Sequence, residues 1–206
     1  MELEIRSACK QFDGKAVLND FSLEFPKSGV VCFFGPSGCG KTTLLNCIAG
    51  MDSLDSGEII GTENHKISYL FQEDRLLPWI SAKENVAAVL RGSTNRNVQE
   101  AVEWLRLVEL AGEEEKRPDE MSGGMRQRVA IARALAYHGD LYLLDEPFHA
   151  LDDHTKKEVI ALIREKTPGV LKILVTHDKR EAESLADITY VLSGPPVKIL
   201  NTITKC

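Results

Sequence analysis

The chain has no CxxC pair, no apolar run of membrane-spanning length and no surplus of basic charge, and each lack closes off a class of function. Its five cysteines, Cys9, Cys32, Cys39, Cys47 and Cys206, are odd in number and have no matching histidine-rich segment, so neither a disulfide framework nor a zinc site is indicated. The apolar stretches Val30 to Phe34 and Leu141 to Leu144 fall far short of the ~20 residues that cross a bilayer, so no membrane span is expected. A formal net charge of -6 argues against broad electrostatic attraction to DNA or RNA, and nucleic acid is not an expected partner. Internal repeats and low-complexity tracts are also missing. The opening Met1-Glu2-Leu3-Glu4-Ile5 alternates acids with apolar residues where a secretory signal would be basic and then apolar, so a cytoplasmic location is expected. What is present is 43% hydrophobic content over 206 residues, enough to bury a substantial core in one globular unit with subdomains.

Glu2 to Arg6 and Phe21 to Phe25 alternate polar with apolar residues on either side of Asp13-Gly14, which predicts an antiparallel hairpin with one covered face. Val30 to Phe34 is a continuous apolar run, the pattern of a strand buried on both faces, and it leads through a glycine-rich loop into a helix predicted at Lys41 to Ala49. Further core strands are predicted at Ile67 to Phe71, Leu141 to Leu144, Leu171 to Val175 and Ile188 to Leu192, with helices at Met125 to Tyr137, Asp153 to Glu165 and Lys179 to Leu185. Such alternation implies an α/β fold with a mainly parallel sheet. Between Leu76 and about Asp119 the pattern is helical, at Ala82 to Leu90 and Val98 to Val108, with a break at Arg91 to Asn95; this predicts an inserted helical subdomain of about 76–125. The acidic run Glu113-Glu114-Glu115 fits a solvated helix end.

Gly35-Pro36-Ser37-Gly38-Cys39-Gly40-Lys41-Thr42, between the buried strand and the helix, has the spacing of a phosphate-binding loop. Glycines let successive backbone N–H groups turn inward, and the following helix aims its positive end at the phosphates. Lys41 supplies a cation for the β and γ phosphates, the Thr42 hydroxyl can reach Mg2+, and Thr43 is grouped with the loop as cofactor-binding. Cys39 fits as a small residue in a tight loop, although backbone amides there could also lower a thiol pKa. Leu141 to Leu144 carry Asp145 to the end of a buried strand, where a carboxylate can organise Mg2+ directly or through water. The fold class is therefore α/β, a P-loop NTPase core with a small antiparallel β subdomain and the inserted helical subdomain. The loop by itself leaves kinases, GTPases and helicases open.

Ser122-Gly123-Gly124-Met125-Arg126-Gln127, shortly before Leu143-Leu144-Asp145-Glu146-Pro147, narrows that field. Physically it is a second anion site, with a serine hydroxyl, two glycines that permit close backbone approach and the dipole of a helix starting near Met125; the same residues would also suit an ordinary N-capped helix. The phosphate loop, this segment and Asp145-Glu146, in that order, resemble an ATP-binding cassette (ABC) ATPase. The resemblance runs from Phe12 to about Leu192.

The resemblance implies ATP and Mg2+ as cofactors, Thr42, Gln72 and Asp145 at the metal, and Glu146 as the general base that polarises the attacking water. Gln72 corresponds to the glutamine that touches magnesium or the water and links the site to the helical lobe, and His177 to the switch histidine that contacts the γ-phosphate. Phe12 stands where the family commonly stacks an aromatic on adenine; it could equally sit in the hairpin core. In the family, Ser122, Gly123 and Gly124 would face the γ-phosphate held by the opposite subunit, which implies a head-to-tail homodimer or pairing with a second ABC ATPase. Ala150-Leu151-Asp152 matches the D-loop, with His149 where Ser or Gly is more usual; His65, His138 and His154 form no constellation. The short connection from Lys41 to Gln72 suggests a trimmed antiparallel subdomain.

Phe71-Gln72-Glu73-Asp74-Arg75-Leu76-Leu77-Pro78-Trp79 most resembles importers of the nitrate, sulfonate and taurine type. In such transporters this region receives a coupling helix from an integral-membrane permease; Leu76, Leu77 and Trp79 either serve that groove or fill the lobe's own core. The function so implied is the ATPase subunit of an importer, peripheral to the inner face of the cell membrane and working with a permease and a solute-binding protein. The alternative is a soluble or regulatory cassette not coupled to solute transport. The solute is selected by subunits outside this sequence.

Overall fold

Strands β1 (Glu4–Phe12) and β2 (Lys15–Glu24) pair antiparallel, as the alternation predicted, about Asp13-Gly14, both at positive φ. The computed structural model describes residues 2–92 and 94–205; Met1, Ser93 of the expected interhelical break and the fifth cysteine, Cys206, lie outside them. The continuous apolar run becomes β3 (Gly29–Phe34), followed by α1 (Lys41–Ile48). β4 (Ser56–Ile60), which was not foreseen, pairs antiparallel with β1, so the hairpin is part of a three-stranded sheet in the order β2-β1-β4.

The predicted core strands appear as β5 (Ile67–Leu70), β6 (Leu141–Asp145), β7 (Leu171–Thr176) and β8 (Ile188–Ser193), and a further unforeseen strand, β9 (Lys198–Thr204), lies at the edge. They form a six-stranded sheet in the order β5-β6-β7-β3-β8-β9, in which β6, β7, β3 and β8 run parallel and β9 is antiparallel. Of the strands read as continuous apolar runs, β3 is buried from Val30 to Phe33 and β6 along its whole length; β7, which includes Lys172, is also buried throughout. The β9 residues, by contrast, are all exposed.

The chain divides into two compact units. The first comprises Met1–Tyr69, Asp140–Glu146 and Gly169–Cys206. Its core combines Leu3, Ile5 and Phe21 with Leu44, Leu45 and Ile48 of α1 and Phe33, Leu143 and Ile173 of the sheet. Phe25 packs edge-on against Phe33 at 6.1 Å, a favoured aromatic arrangement. Three glycine-rich or charged segments leave this core at the C-terminal ends of β3, β6 and β7.

The second unit comprises Leu70–Gly139 and Pro147–Pro168 and holds α2 (Ala82–Ala87), α3 (Thr94–Leu107), α4 (Gly123–Ala136) and α5 (Asp153–Lys166). α2, α3 and α4 pack on one another and bury Val86, Ala101, Leu105, Val129 and Ile131. α2 begins with a capping box in which Ser81 and Glu84 satisfy each other's backbone N–H groups. α3 starts at Thr94, so Asn95 of the expected break is helical. Glu113 to Glu115 do not end a helix; they lie in turns whose backbone receives Lys83 N–H at Glu114 O, while Ala82 N–H reaches Lys116 O. Two orphan donors of the α2 N-terminus are thereby paired. The remaining helix, α6 (Lys179–Leu185), belongs to the first unit. No helix among the described residues is long and apolar enough to cross a membrane.

Candidate functional site

In the first unit the phosphate-loop residues surround the start of α1. Gly40 precedes the helix at φ 106°, and a Cβ there would lie 2.6 Å from Val197 Cγ2 and 2.8 Å from Val17 Cγ1, so both the conformation and the space demand glycine. Lys41 is buried, and its Nζ donates to Gly35 O and Pro36 O at 2.8 Å each. An ammonium held by carbonyls inside its own loop keeps its charge satisfied while remaining available to a stronger acceptor. Pro36, Ser37 and Gly38 are exposed at the loop tip, whereas Cys39 is buried with its Sγ 3.9 Å from Lys41 Nζ. Thr43 follows on the first turn of α1.

The Thr42 hydroxyl donates to Asp145 Oδ2 at 2.8 Å. Asp145 is 2% exposed, and burial pushes its carboxyl pKa up, opposed in part by that hydrogen bond. Its Oδ1 is buried with no hydrogen-bond partner among the described residues. A buried lone acceptor on a carboxylate costs free energy unless something electropositive meets it. Glu146, the next residue, takes the left-handed conformation at φ 46°, which costs a non-glycine residue roughly 1–3 kcal/mol. The turn is pinned by Glu146 N–H donating to Val175 O at 2.9 Å, and Glu146 Oε1 lies 2.8 Å from His177 Nδ1. That contact and the negative charge of Glu146 raise the imidazole pKa above its ordinary value. Phe12 is 44% exposed with Lys10 Nζ 4.9 Å from its ring centroid, so the side chain is not part of the hairpin core and its ring is open to a stacking partner.

The second unit carries the other expected residues. Ser122 is the N-cap of α4 and accepts from Met125 N–H at 3.2 Å. A Cβ on Gly124 would lie 2.9 Å from Ala150 O, so this glycine is required by the segment Ala150-Leu151-Asp152; one on Gly123 would meet only Arg126 Nη2, at 4.0 Å. Buried Gln127 donates to Pro147 O at 2.7 Å. The Asp152 carboxylate caps α5, accepting from His154 N–H, Thr155 N–H and the Thr155 hydroxyl, which lowers its pKa to about 2. His149 is exposed.

Gln72 is exposed just after β5, in an irregular segment held by polar side chains that sequence patterning gave no reason to single out. Arg126 Nε donates to Asp74 Oδ2 at 2.9 Å and its Nη1 to Met121 O at 3.0 Å; Arg133 donates to Asp74 O and Arg75 O. Asn85, fully buried, accepts from Leu77 N–H and donates to the Leu77, Ile80 and Ser81 carbonyls. The only advance signal for Asn85 was a polar residue on the buried face of a helix. Leu76 is buried, while Leu77 and Trp79 are 37% and 67% exposed: the first fills the lobe and the other two do not.

These groups suit a magnesium nucleotide. No cluster of three or more His, Cys, Asp or Glu side chains capable of holding a metal exists among the described residues. Mg2+ bound to a nucleotide needs few protein ligands, because phosphate oxygens and water complete its shell, and the Thr42 hydroxyl beside the uncompensated Asp145 Oδ1 supplies that small set.

The profile of the ABC transporter family, described as ABC transporter, matches residues 18–149. The aliphatic sulfonates import ATP-binding protein SsuB of Bacillus cereus is 40% identical, over 98% of this chain and 86% of its own length. The sulfate/thiosulfate import ATP-binding protein CysA of Burkholderia mallei is also 40% identical, over 94% of this chain and 60% of that protein. Among solved structures, the dimeric post-hydrolysis state of the ATP-binding cassette MJ0796 bound to ADP and Pi matches with a TM-score of 0.88 and 28% identity, covering 98% of each chain. Fold, site geometry and these relatives agree: the chain belongs to the ABC transporter family.

Proposed function

We propose that this chain is the ATP-binding and ATP-hydrolysing subunit of an ABC importer, energising solute passage through a separate membrane permease. The observation that carries the site is the Thr42–Asp145 contact with a buried, uncompensated Asp145 oxygen, one residue from Glu146 and its partner His177. Gly35 to Thr43 bind the triphosphate through backbone N–H groups and the Lys41 ammonium. Phe12 stacks on adenine. Thr42 and Asp145, with Gln72 as the family resemblance implies, would hold Mg2+, whose positive charge would offset the negative charge of the β and γ phosphates. Glu146 takes a proton from the attacking water, and His177 orients Glu146 and contacts the γ-phosphate. Ser122, Gly123 and Gly124 contact the γ-phosphate bound by the opposite subunit, so the working species is a head-to-tail dimer.

The whole of 1–206 serves as a single nucleotide-binding domain, with the helical subdomain of about 76–125 carrying the exposed Leu77 and Trp79 as the permease contact. The subunit sits at the inner face of the cell membrane through that permease, and a solute-binding protein completes the system. Relatives of equal identity are named for sulfonate and for sulfate/thiosulfate import, so the solute follows from partners rather than from this chain. The test is ATP hydrolysis with Mg2+ at rising protein concentration. Turnover per chain should climb as dimers form; full turnover of an isolated protomer with no dependence on concentration rejects the composite site.

A further inference from the structure

Behind His177 lies a buried carboxylate that no step of the proposed chemistry uses. Glu181, on α6, is 5% exposed, and its Oε2 accepts from the Thr176 hydroxyl at 2.6 Å. Thr176, the last residue of β7, is fully buried, and its hydroxyl oxygen in turn accepts from Asp178 N–H at 3.0 Å. One hydroxyl therefore ties together the residues on both sides of His177 and anchors them to a buried acid. The same strand end fixes the other member of the pair, since Glu146 N–H bonds to Val175 O, one residue before Thr176.

A buried charge is expensive, and a Glu at the third position of a helix ordinarily folds back to the N-cap backbone N–H. Here that N–H belongs to Asp178, and Thr176 is interposed, so the acid grips the strand end as well as the helix. The influence of Glu181 reaches beyond its own bond. Its negative charge adds to that of Glu146 in raising the His177 pKa, against the opposing charge of Lys41, and it stands second to burial among the causes that push the Cys32 thiol up to about 12.

We propose that Thr176 and Glu181 are positioning residues for His177, holding its backbone so that the imidazole stays on Glu146. Resting on the ATPase reading above, the inference predicts a defect in turnover rather than in nucleotide affinity. A simple cap for α6 would lower stability and leave turnover intact.

The test uses the full chain with Glu181→Met, Thr176→Val and Thr176→Ser. Glu181→Met leaves the buried Thr176 hydroxyl without its acceptor, a cost of about 1–3 kcal/mol that a stable domain can bear, so the variant should still fold. Expected for Glu181→Met and Thr176→Val is a loss of kcat by ~10- to 100-fold, the scale of a misplaced catalytic group, with KM for ATP unchanged. Thr176→Ser, which keeps the hydroxyl, should restore kcat. Without nucleotide, the His177 imidazole followed by NMR should titrate nearer its ordinary range in the two damaging variants and return to its raised value in Thr176→Ser. Unchanged kcat and unchanged His177 titration in folded Glu181→Met overturn the proposal, as does a rise in KM alone. If the wild-type chain hydrolyses no ATP, the ATPase reading fails, and the imidazole titration still decides the positioning.

Discussion

The two units carry anion-seeking helix N-termini on different supports. In the first, Lys41, Thr42, Asp145, Glu146 and His177 stand at the ends of buried strands or on the helix that follows one, and their side chains meet one another or the loop they belong to. In the second, irregular backbone around Gln72 and Ala150 is held by side chains reaching across to carbonyls: Arg126, Arg133, Asn85 and Gln127 each donate to main-chain oxygens. A site on strand ends inherits the rigidity of the core, so its substitutions should alter chemistry with the fold intact. A site on tethered loops should respond through small displacements.

Glu146→Gln should separate the two most sharply. It keeps the size and left-handed setting of the side chain but removes the base, so hydrolysis should fall by about 10²- to 10⁴-fold while ATP still binds. Near-normal turnover by phosphate release would remove Glu146 from the role of base. Lys41→Ala should act next in size and on the other parameter. Losing charge-assisted hydrogen bonds of about 1.5–3 kcal/mol corresponds to a Kd for ATP weaker by roughly 10- to 100-fold, measured by calorimetry. Equal affinity would mean that the loop backbone suffices.

The pair Gly124→Ala and Gly123→Ala probes the tethered support. A methyl group on Gly124 must displace Ala150 O, 2.9 Å away, whereas one on Gly123 meets only the far end of the Arg126 side chain at 4.0 Å. Overpacking of this kind costs about 1–3 kcal/mol, so Gly124→Ala should lower the midpoint of urea unfolding and hydrolysis together while Gly123→Ala leaves the midpoint in place. Equal loss of stability in both would show that the packing against Ala150 does not set the fold of this unit.

How much of this could be seen in the sequence divides along the same line. The strand-end residues announced themselves because continuous apolar runs at Val30 to Phe34 and Leu141 to Leu144 admit few readings, and charged or glycine-rich residues directly after them must lie at the end of a strand. β4 and β9 were not legible. β4 has only five residues and includes Gly57 at positive φ, and β9 is exposed along its length, so no inward-facing pattern marks it. Glu113 to Glu115 read as a helix end because like charges predict solvation, yet their backbone completes the N-terminus of α2, a role invisible to side-chain patterning. The fate of Leu76, Leu77 and Trp79 likewise depended on which of three neighbouring apolar residues the tethers of Asn85 and Arg133 turned inward.

The smallest effect expected is also the one with opposite signs in the two units. Asp152 has a folded pKa of about 2, below the usual value of about 3.9, because three hydrogen bonds favour its ionised form. Its contribution to stability is therefore full above about pH 4 and is lost as pH falls toward 2. His177 has a raised folded pKa, so its contribution is full below about pH 6.5 and is lost as pH rises through the folded value. Urea unfolding of wild type against Asp152→Asn and His177→Ala should show the first difference shrinking in acid and the second shrinking toward alkaline pH. Because the His177 side chain is 62% exposed and well solvated, its slope should be shallow. If both differences shrank toward the same end of the scale, either the His177–Glu146 contact or the Asp152 cap would be absent in solution, and the contrast between a strand-end site and a tethered one would lose one of its two anchors.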